Sequence, residues 1–287
     1  MQLVSIIVPS LRLNLAQQSL LAINRCSAGA QYEIIVVSPF EFRGSNVRWI
    51  QEVEPRGSGA AQHRGYQAAR GDYLVHISDD VLPVPGWLNA AISRIDQREQ
   101  HHFPFVLGLR PARFGISTAY GHYVANFIAI SRRSAEAIGG TFSEEYHAHF
   151  ADPDISMRVW NKGGRCECLQ DPVLYYVPLE RFFPVALHKK STLQQDYETF
   201  ARKWAPIYGP GWGNTPREVN IDYPISRLVN DSFVDPVAPI NPPPVAKPRA
   251  HSMLLKQTMS AILSLLTPSQ LYRLSRAIGR FRYKVRP

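Results

Sequence analysis

The sequence predicts an α/β fold: a mostly parallel central sheet flanked by helices, followed by a basic helical tail. Three observations predict it. Short apolar runs of strand length alternate with helical segments through the first 100 residues, and strands separated in this way by helices pair in parallel. The 287-residue chain is 45% hydrophobic and 19% charged, a balance that builds a core and excludes wholesale disorder. The net charge of +9 belongs to one end of the chain. Nine of the 32 basic residues lie in 247–287, a segment without Asp or Glu, which leaves residues 1–246 with 23 charges of each sign.

Taken in order, residues 3–9 form a buried strand, an apolar run stopped by Pro9. Residues 13–26 carry a helical pattern. Residues 32–37, rich in Ile and Val, and 47–51 are the next strands. A glycine opening starts a helix over 57–70, and Gly71 ends it. The strand over 73–77 delivers Ser78-Asp79-Asp80 to its carboxyl end. A helix spans 87–98, and strands follow at 105–109 and 126–131. The short helix 131–138 is closed by Gly139-Gly140. The helix 152–162 stops at Gly163-Gly164, strands follow at 165–169 and 174–177, and a helix covers 191–204. The proline-rich run 235–248 suits neither a helix nor a central strand, and reads as an extended linker. The expected organisation is a catalytic-size domain over 1–205, an irregular linker over 206–249 and a basic amphipathic tail over 250–287.

Several classes are excluded. Cys26, Cys166 and Cys168 are too few for a disulfide framework and lack a CxxC partner, so they read as buried thiols in a reducing compartment. The apolar run 3–8 has no basic flank and is too short for a secretion signal. No stretch reaches ~18 apolar residues, so no membrane-spanning helix is expected. Gly57-Ser-Gly-Ala-Ala-Gln62 begins like a dinucleotide fingerprint but has Gln62 in place of the third glycine, and it follows the third strand rather than the first. His147, His149, Asp152 and Asp154 lack the ordered spacing of a zinc hydrolase.

In an open parallel sheet, ligands bind at the carboxyl ends of the strands. That rule puts Pro9-Ser10, Ser38 and Ser78-Asp79-Asp80 on one rim. Paired carboxylates at such an edge suit Mg²⁺ or Mn²⁺, hard ions commonly completed by substrate phosphates. A turn with an Asp helix cap accounts for the same residues. Asp152 and Asp154 open a helix, where the dipole favours carboxylates, and capping needs only one of them. His188, just before a helix, suits a metal shell, a phosphate contact or an exposed structural role.

Taken together, the pieces resemble a family 2 glycosyltransferase of GT-A fold. The resemblance rests on Val4-Ser-Ile-Ile-Val-Pro9, Tyr32-Glu-Ile-Ile-Val-Val37 and Gly59-Ala-Ala-Gln-His-Arg-Gly65. It continues through Ala69-Arg-Gly-Asp-Tyr-Leu-Val-His-Ile-Ser-Asp-Asp80, Pro85-Gly-Trp-Leu88 and Asp152-Pro-Asp-Ile-Ser-Met-Arg158. It ends with His188-Lys-Lys-Ser-Thr192 and Phe200-Ala-Arg-Lys-Trp204. The order and spacing of these pieces cover residues 3–204.

The resemblance implies an inverting, metal-dependent enzyme that moves a sugar from a nucleotide-sugar donor, UDP being the expected nucleotide, to a glycan or lipid-linked hydroxyl acceptor in surface-glycan biosynthesis. It implies Asp152 as the general base, and Asp80 with His188 as ligands of Mn²⁺ or Mg²⁺. Pro9, Ser10, Ser38, Glu41, Gly59, His63, Ser78 and Asp79 are implied around the nucleotide. The chain departs from the family pattern in four places. Ser38 replaces the acid after the second strand, Gln62-His63 replaces Arg-Asn, Ser78 replaces the first acid of the metal motif, and Ala151 replaces the Glu before the base. A non-catalytic nucleotide-sugar-binding relative is the alternative.

The basic tail offers a different class of function. Residues 253–266 place Leu, Met and Ile at helical spacings, and 271–283 add a second basic amphipathic segment. Such helices lie on anionic bilayers, each basic residue adding up to ~1 kcal/mol. They equally suit packing on the main domain or on a second copy in a homo-oligomer. With no nucleic-acid motif and few aromatics, the tail is not expected to bind nucleic acid. The expected location is cytoplasmic, peripheral at the inner face of the plasma membrane.

Overall fold

The structure, a computed structural model, describes residues 2–111, 117–120, 122–169, 171–176 and 192–209, with short backbone strands at 228–229 and 232–233. The proline-rich linker and the basic tail lie outside the described residues, as does His188.

In chain order the elements are β1 (Leu3–Pro9), α1 (Leu13–Cys26), β2 (Gln31–Ser38), β3 (Val47–Gln51), α2 (Ser58–Ala68), β4 (Tyr73–His76), β5 (Val81–Pro83) and α3 (Trp87–Glu99). These are followed by β6 (Phe105–Gly108), β7 (Ser117–Ala119), β8 (His122–Val124), β9 (Ile128–Ser131), α4 (Arg132–Ala137) and α5 (Ala151–Asn161). The last are β10 (Arg165–Cys168), β11 (Leu174–Tyr176), α6 (Leu193–Tyr208), β12 (Leu228–Val229) and β13 (Ser232–Phe233). A seven-stranded sheet runs in the order β10-β6-β9-β4-β1-β2-β3. All its neighbours are parallel except those of β9, which is antiparallel to both β4 and β6. The mixed, mostly parallel sheet is the one the alternating pattern predicts.

Strand alternation divides the core into two layers. On β1, Val4, Ile6 and Val8 face the layer that holds Leu20 and Ile23 of α1 and Trp87, Ala91 and Ile95 of α3. Ile7 faces the opposite layer, with Ala61 of α2, Ile155 and Met157 of α5, and Phe200 and Trp204 of α6. β2 divides in the same way, Ile34 and Val36 to one side and Ile35 and Val37 to the other. Burying each such side chain contributes about 1.5–3 kcal/mol. A continuous apolar run with both faces covered is the signature of a parallel core strand.

Four details differ from the sequence reading. β5 pairs antiparallel with β11, the strand expected at 174–177, and β7 pairs with β8; β5, β7 and β8, of three residues each, are too short for periodicity to reveal. The strand expected from 126 begins at Ile128, because Phe127 takes a left-handed conformation with φ 48°, which interrupts extended backbone. α6 continues past the expected boundary at 205, through Pro206, to Tyr208. Cys166 and Cys168 share one face of β10 and pack in the core layer of α5; burial pushes both thiols up, so they stay protonated.

Candidate active site

The site forms where β1 sits between β2 and β4. The parallel pairing sets Ile7 beside His76, so the two strands exit side by side. The backbone N–H of Ser10 donates to the carbonyl of Val37 (2.9 Å) and that of Ile77 to Ile7 (3.2 Å). Residues 10–12 and 77–80 therefore meet at the carboxyl edge of the sheet, where α/β proteins bind ligands.

Asp79 is the hub of this edge. Its Oδ2 accepts from Ser10 Oγ at 2.5 Å and from Arg12 Nε at 3.2 Å. Its Oδ1 accepts from Arg12 Nη2. The residue is only 3% exposed. Burial pushes its carboxyl up, and the Arg12 guanidinium and the Ser10 hydroxyl pull in the opposite direction. Arg12 is held the other way: burial disfavours its charge, and the Asp79 and Asp80 carboxylates outweigh that, so it is a fixed cation. Asp80 differs from its neighbour. Its side chain is 18% exposed, its Oδ2 lies 3.4 Å from Arg12 Nη2, and its Oδ1 accepts from Ser78 Oγ.

A divalent cation fits this donor set in one way. Both acids have partners within the protein, but Asp79 is the more deeply buried and the more closely held by Arg12, so Asp80, with 18% of its side chain exposed, is the carboxylate an incoming ion reaches. Among the described residues no group of three or more His, Cys, Asp or Glu gathers to hold a metal. A single carboxylate plus the oxygens of a bound diphosphate is a coordination pattern that Mg²⁺ and Mn²⁺ accept.

The remaining expected site residues occupy three places. Pro9 ends β1 beside Ser10. Ser38 ends β2, fully buried; its Oγ accepts from the N–H of Phe40 (3.1 Å) and its carbonyl from Trp49 Nε1 (3.0 Å). Glu41 is exposed and pairs with Arg43 at 2.7 Å, a contact that lowers its carboxyl. Gly59 and His63 face the segment that leads into α5. The N–H of Gly59 donates to the carbonyl of His147 (3.3 Å), and His63 Nδ1 donates to the carbonyl of Phe142 (2.8 Å). The approach requires glycine: a Cβ at Gly59 would lie 2.1 Å from the carbonyl oxygen of Tyr146, and one at Gly57, which has φ 109°, would lie 2.1 Å from that of His147.

These contacts set the N-terminus of α5 on the same edge as Asp79 and Asp80, because the loop after β3 leaves the sheet at its carboxyl end. Asp152 lies in the first turn of α5 and is half-buried. Asp154 has a different role. It is 1% exposed and takes Trp204 Nε1 (2.9 Å), Tyr146 Oη (3.2 Å), Arg158 Nε (2.9 Å) and Lys203 Nζ (2.8 Å). It therefore ties α5 to α6 as a structural anchor.

Four residues of this edge and its support were not singled out by sequence reasoning. Arg12 follows Pro9 by three positions, and an arginine in a loop carries no signal until β4 is known to lie beside β1. Glu52, at the end of β3, is 3% exposed; burial raises its carboxyl, while Arg64 and Arg56 oppose the rise. His76 is buried on β4, its Nδ1 donating to Gln62 Oε1 at 2.7 Å. Asp196, in the first turn of α6, accepts the backbone N–H groups of His147, Ala148 and His149.

The family described as "Glycosyl transferase family 2" matches residues 21–157, from α1 into α5. No curated protein matches the chain by sequence. Among solved structures, the mannosyltransferase PcManGT from Pyrobaculum calidifontis, in complex with GDP-Man and Mn²⁺, is similar at a TM-score of 0.50 and 19% identity. The match covers 70% of this chain and 64% of that one, so less than two thirds of the mannosyltransferase is represented. TarS 1–349 from S. aureus is similar at a TM-score of 0.48 and 13% identity, over 72% of this chain and 74% of that one. The likeness to the mannosyltransferase is one of fold, GT-A, a mixed α/β layer structure around a mostly parallel sheet.

Among the described residues no helix is long and apolar enough to cross a membrane.

Proposed function

We propose that the chain is an inverting glycosyltransferase that moves a sugar from a nucleotide-sugar donor to a hydroxyl acceptor. The observation that carries the proposal is the pair Asp79–Asp80 at the carboxyl edge between β1 and β4, in a chain whose residues 21–157 match glycosyl transferase family 2. Asp80 is the residue that would hold Mn²⁺ or Mg²⁺ together with the donor's diphosphate, and His188 is a further candidate ligand. Such an ion, when bound, neutralises the charge that grows on the departing diphosphate. The Mn²⁺ and GDP-Man bound by the P. calidifontis mannosyltransferase agree with this assignment.

Asp152 takes the proton of the acceptor hydroxyl. The acceptor oxygen forms its bond to the anomeric carbon from the face opposite the leaving group. The bond from that carbon to the diphosphate oxygen breaks, and its electron pair leaves with the nucleoside diphosphate. One displacement inverts the anomeric centre without a covalent enzyme intermediate. Pro9, Ser10, Ser38 and Ser78 frame the nucleotide, and Asp79 stabilises the loop that carries Asp80. Surface-glycan synthesis on a lipid-linked acceptor is the proposed setting, with the basic tail 250–287 resting on an anionic membrane.

Calorimetric titration of UDP, GDP and dTDP, each with and without Mn²⁺, tests the donor site on wild type and Asp80→Ala. One nucleotide is expected to bind with Mn²⁺ and to lose that binding in the variant. Absence of binding by all three overturns the donor-site assignment. Metal-dependent binding without turnover of any sugar nucleotide favours the binding-only relative.

A further inference from the structure

We propose that Arg12 makes cation binding at this edge conditional on a nucleoside diphosphate, acting as a built-in countercharge to Asp79 and Asp80. The inference rests on the reading of this edge as the donor site.

Arg12 is not a free surface arginine. Its backbone N–H donates to Ser10 Oγ at 3.0 Å, and its carbonyl accepts from the N–H of Ala16 at 3.0 Å. Its guanidinium spans both oxygens of Asp79 and reaches to 3.4 Å from Asp80. Only 20% of its side chain is exposed. The forked geometry suits a carboxylate and would equally suit a phosphate oxygen.

The consequence is electrostatic. Two carboxylates alone would offer a dication two negative charges. With the guanidinium a few ångströms away, its repulsion offsets the attraction of one carboxylate, because the Coulomb energy at a given distance follows the product of the charges. The cation is left with the equivalent of one carboxylate, on Asp80, too little for firm binding by a hydrated hard ion. A diphosphate changes the sum. It supplies negative charge to the ion and to the guanidinium at once, so the two cations no longer compete for the same carboxylates. Nucleotide and metal then bind together, and the edge stays metal-poor between turnovers.

The experiment uses the full chain at pH 8 and follows free Mn²⁺ by its electron paramagnetic resonance signal, with and without the nucleoside diphosphate that titrates best. Wild type is expected to bind Mn²⁺ at least tenfold more weakly without nucleotide than with it. Arg12→Gln is expected to bind Mn²⁺ alone at least tenfold more tightly than wild type, and to bind the diphosphate without metal at least tenfold more weakly. Arg12→Lys, which keeps the charge, is expected to keep the weak binding of Mn²⁺ alone. Equal Mn²⁺ affinity with and without nucleotide in wild type overturns the proposal whatever the variants do. So does an Arg12→Gln protein that binds nucleotide with Mn²⁺ but shows wild-type Mn²⁺ affinity, and that result leaves the donor site standing. Failure of wild type to bind any nucleotide under either condition overturns the donor-site reading itself and this inference with it.

Discussion

The carboxylate of Asp196, on α6, accepts the backbone N–H of His147 at 2.9 Å across 49 residues of chain. Its second oxygen takes the N–H groups of Ala148 and His149 at 2.9 and 2.8 Å. Asp196 is fully buried, so these charge-assisted bonds are made where water does not compete. The turn it holds also meets the loop after β3, through Gly59 and through His147 Nδ1 against the carbonyl of Arg56 at 3.1 Å. It then leads through Phe150, held at φ 59° against Tyr197 and Phe200, into the first turn of α5 with Asp152. α6 thereby holds the segment that leads into the first turn of α5, which carries the proposed base.

Asp196→Asn turns an acceptor into a donor in front of backbone N–H groups and costs about 1–3 kcal/mol. The melting temperature is expected to fall by roughly 2–4 °C per kcal/mol. The transfer rate is expected to drop at least tenfold while nucleotide affinity stays within twofold of wild type. A parallel loss of nucleotide binding would show that the turn supports the whole site rather than the base.

Asp152, the proposed base, and Asp154, the structural anchor, lie within one turn of α5. Asp152→Asn is expected to lower transfer by about 10²–10⁴-fold, the usual contribution of a positioned base, with nucleotide affinity and melting temperature close to wild type. Wild-type turnover in that variant would remove Asp152 from the mechanism. Asp154→Ala strips the partner from Arg158 and Lys203 and leaves Trp204 Nε1 unbonded. It is expected to destabilise the fold by about 3–5 kcal/mol, read by chemical denaturation.

His76 gives the fold an acid sensitivity. Burial pushes its imidazole down to about 3 from the ordinary 6.5, and among the described residues its Nε2 has no hydrogen-bond partner. The unfolded chain takes up this proton below about pH 6.5 and the folded chain does not until about pH 3. Its contribution to stability is therefore complete above pH 6.5 and is lost as the pH falls, by up to ~1.4 kcal/mol per unit. His76→Gln does not titrate and keeps a side-chain N–H for Gln62. Wild type should lose more unfolding free energy than this variant between pH 7 and pH 5; parallel curves would assign the acid sensitivity elsewhere.

The tail is tested by sedimentation with vesicles. The full chain is expected to bind anionic vesicles, to be released as salt rises through the screening range, and to lose binding when 250–287 is deleted. Absence of binding to anionic vesicles at low salt would sink the membrane role.

The sequence by itself determined the strands of the parallel core, because β1, β2 and β4 are apolar runs buried on both faces and such runs carry their own evidence. It also determined which acids could matter, since a strand end in an α/β sheet is a ligand edge whatever the neighbours are. The tertiary structure alone decided how those acids divide the work. Asp79 became a buried partner of Arg12 and Ser10 only because β4 pairs with β1, a contact between residues 67 and 69 positions apart. Asp154 became an anchor only because Trp204 and Lys203 reach it from a helix that begins some 40 residues later. Asp196 reads locally as a first-turn acid that favours the helix dipole, and its three backbone partners come from a loop beyond any sequence window. Local patterning encodes which face of an element is buried. The partner of a buried charge is set by long-range strand order and helix packing, and that is where the roles of Arg12, Asp79, Asp154 and Asp196 were decided.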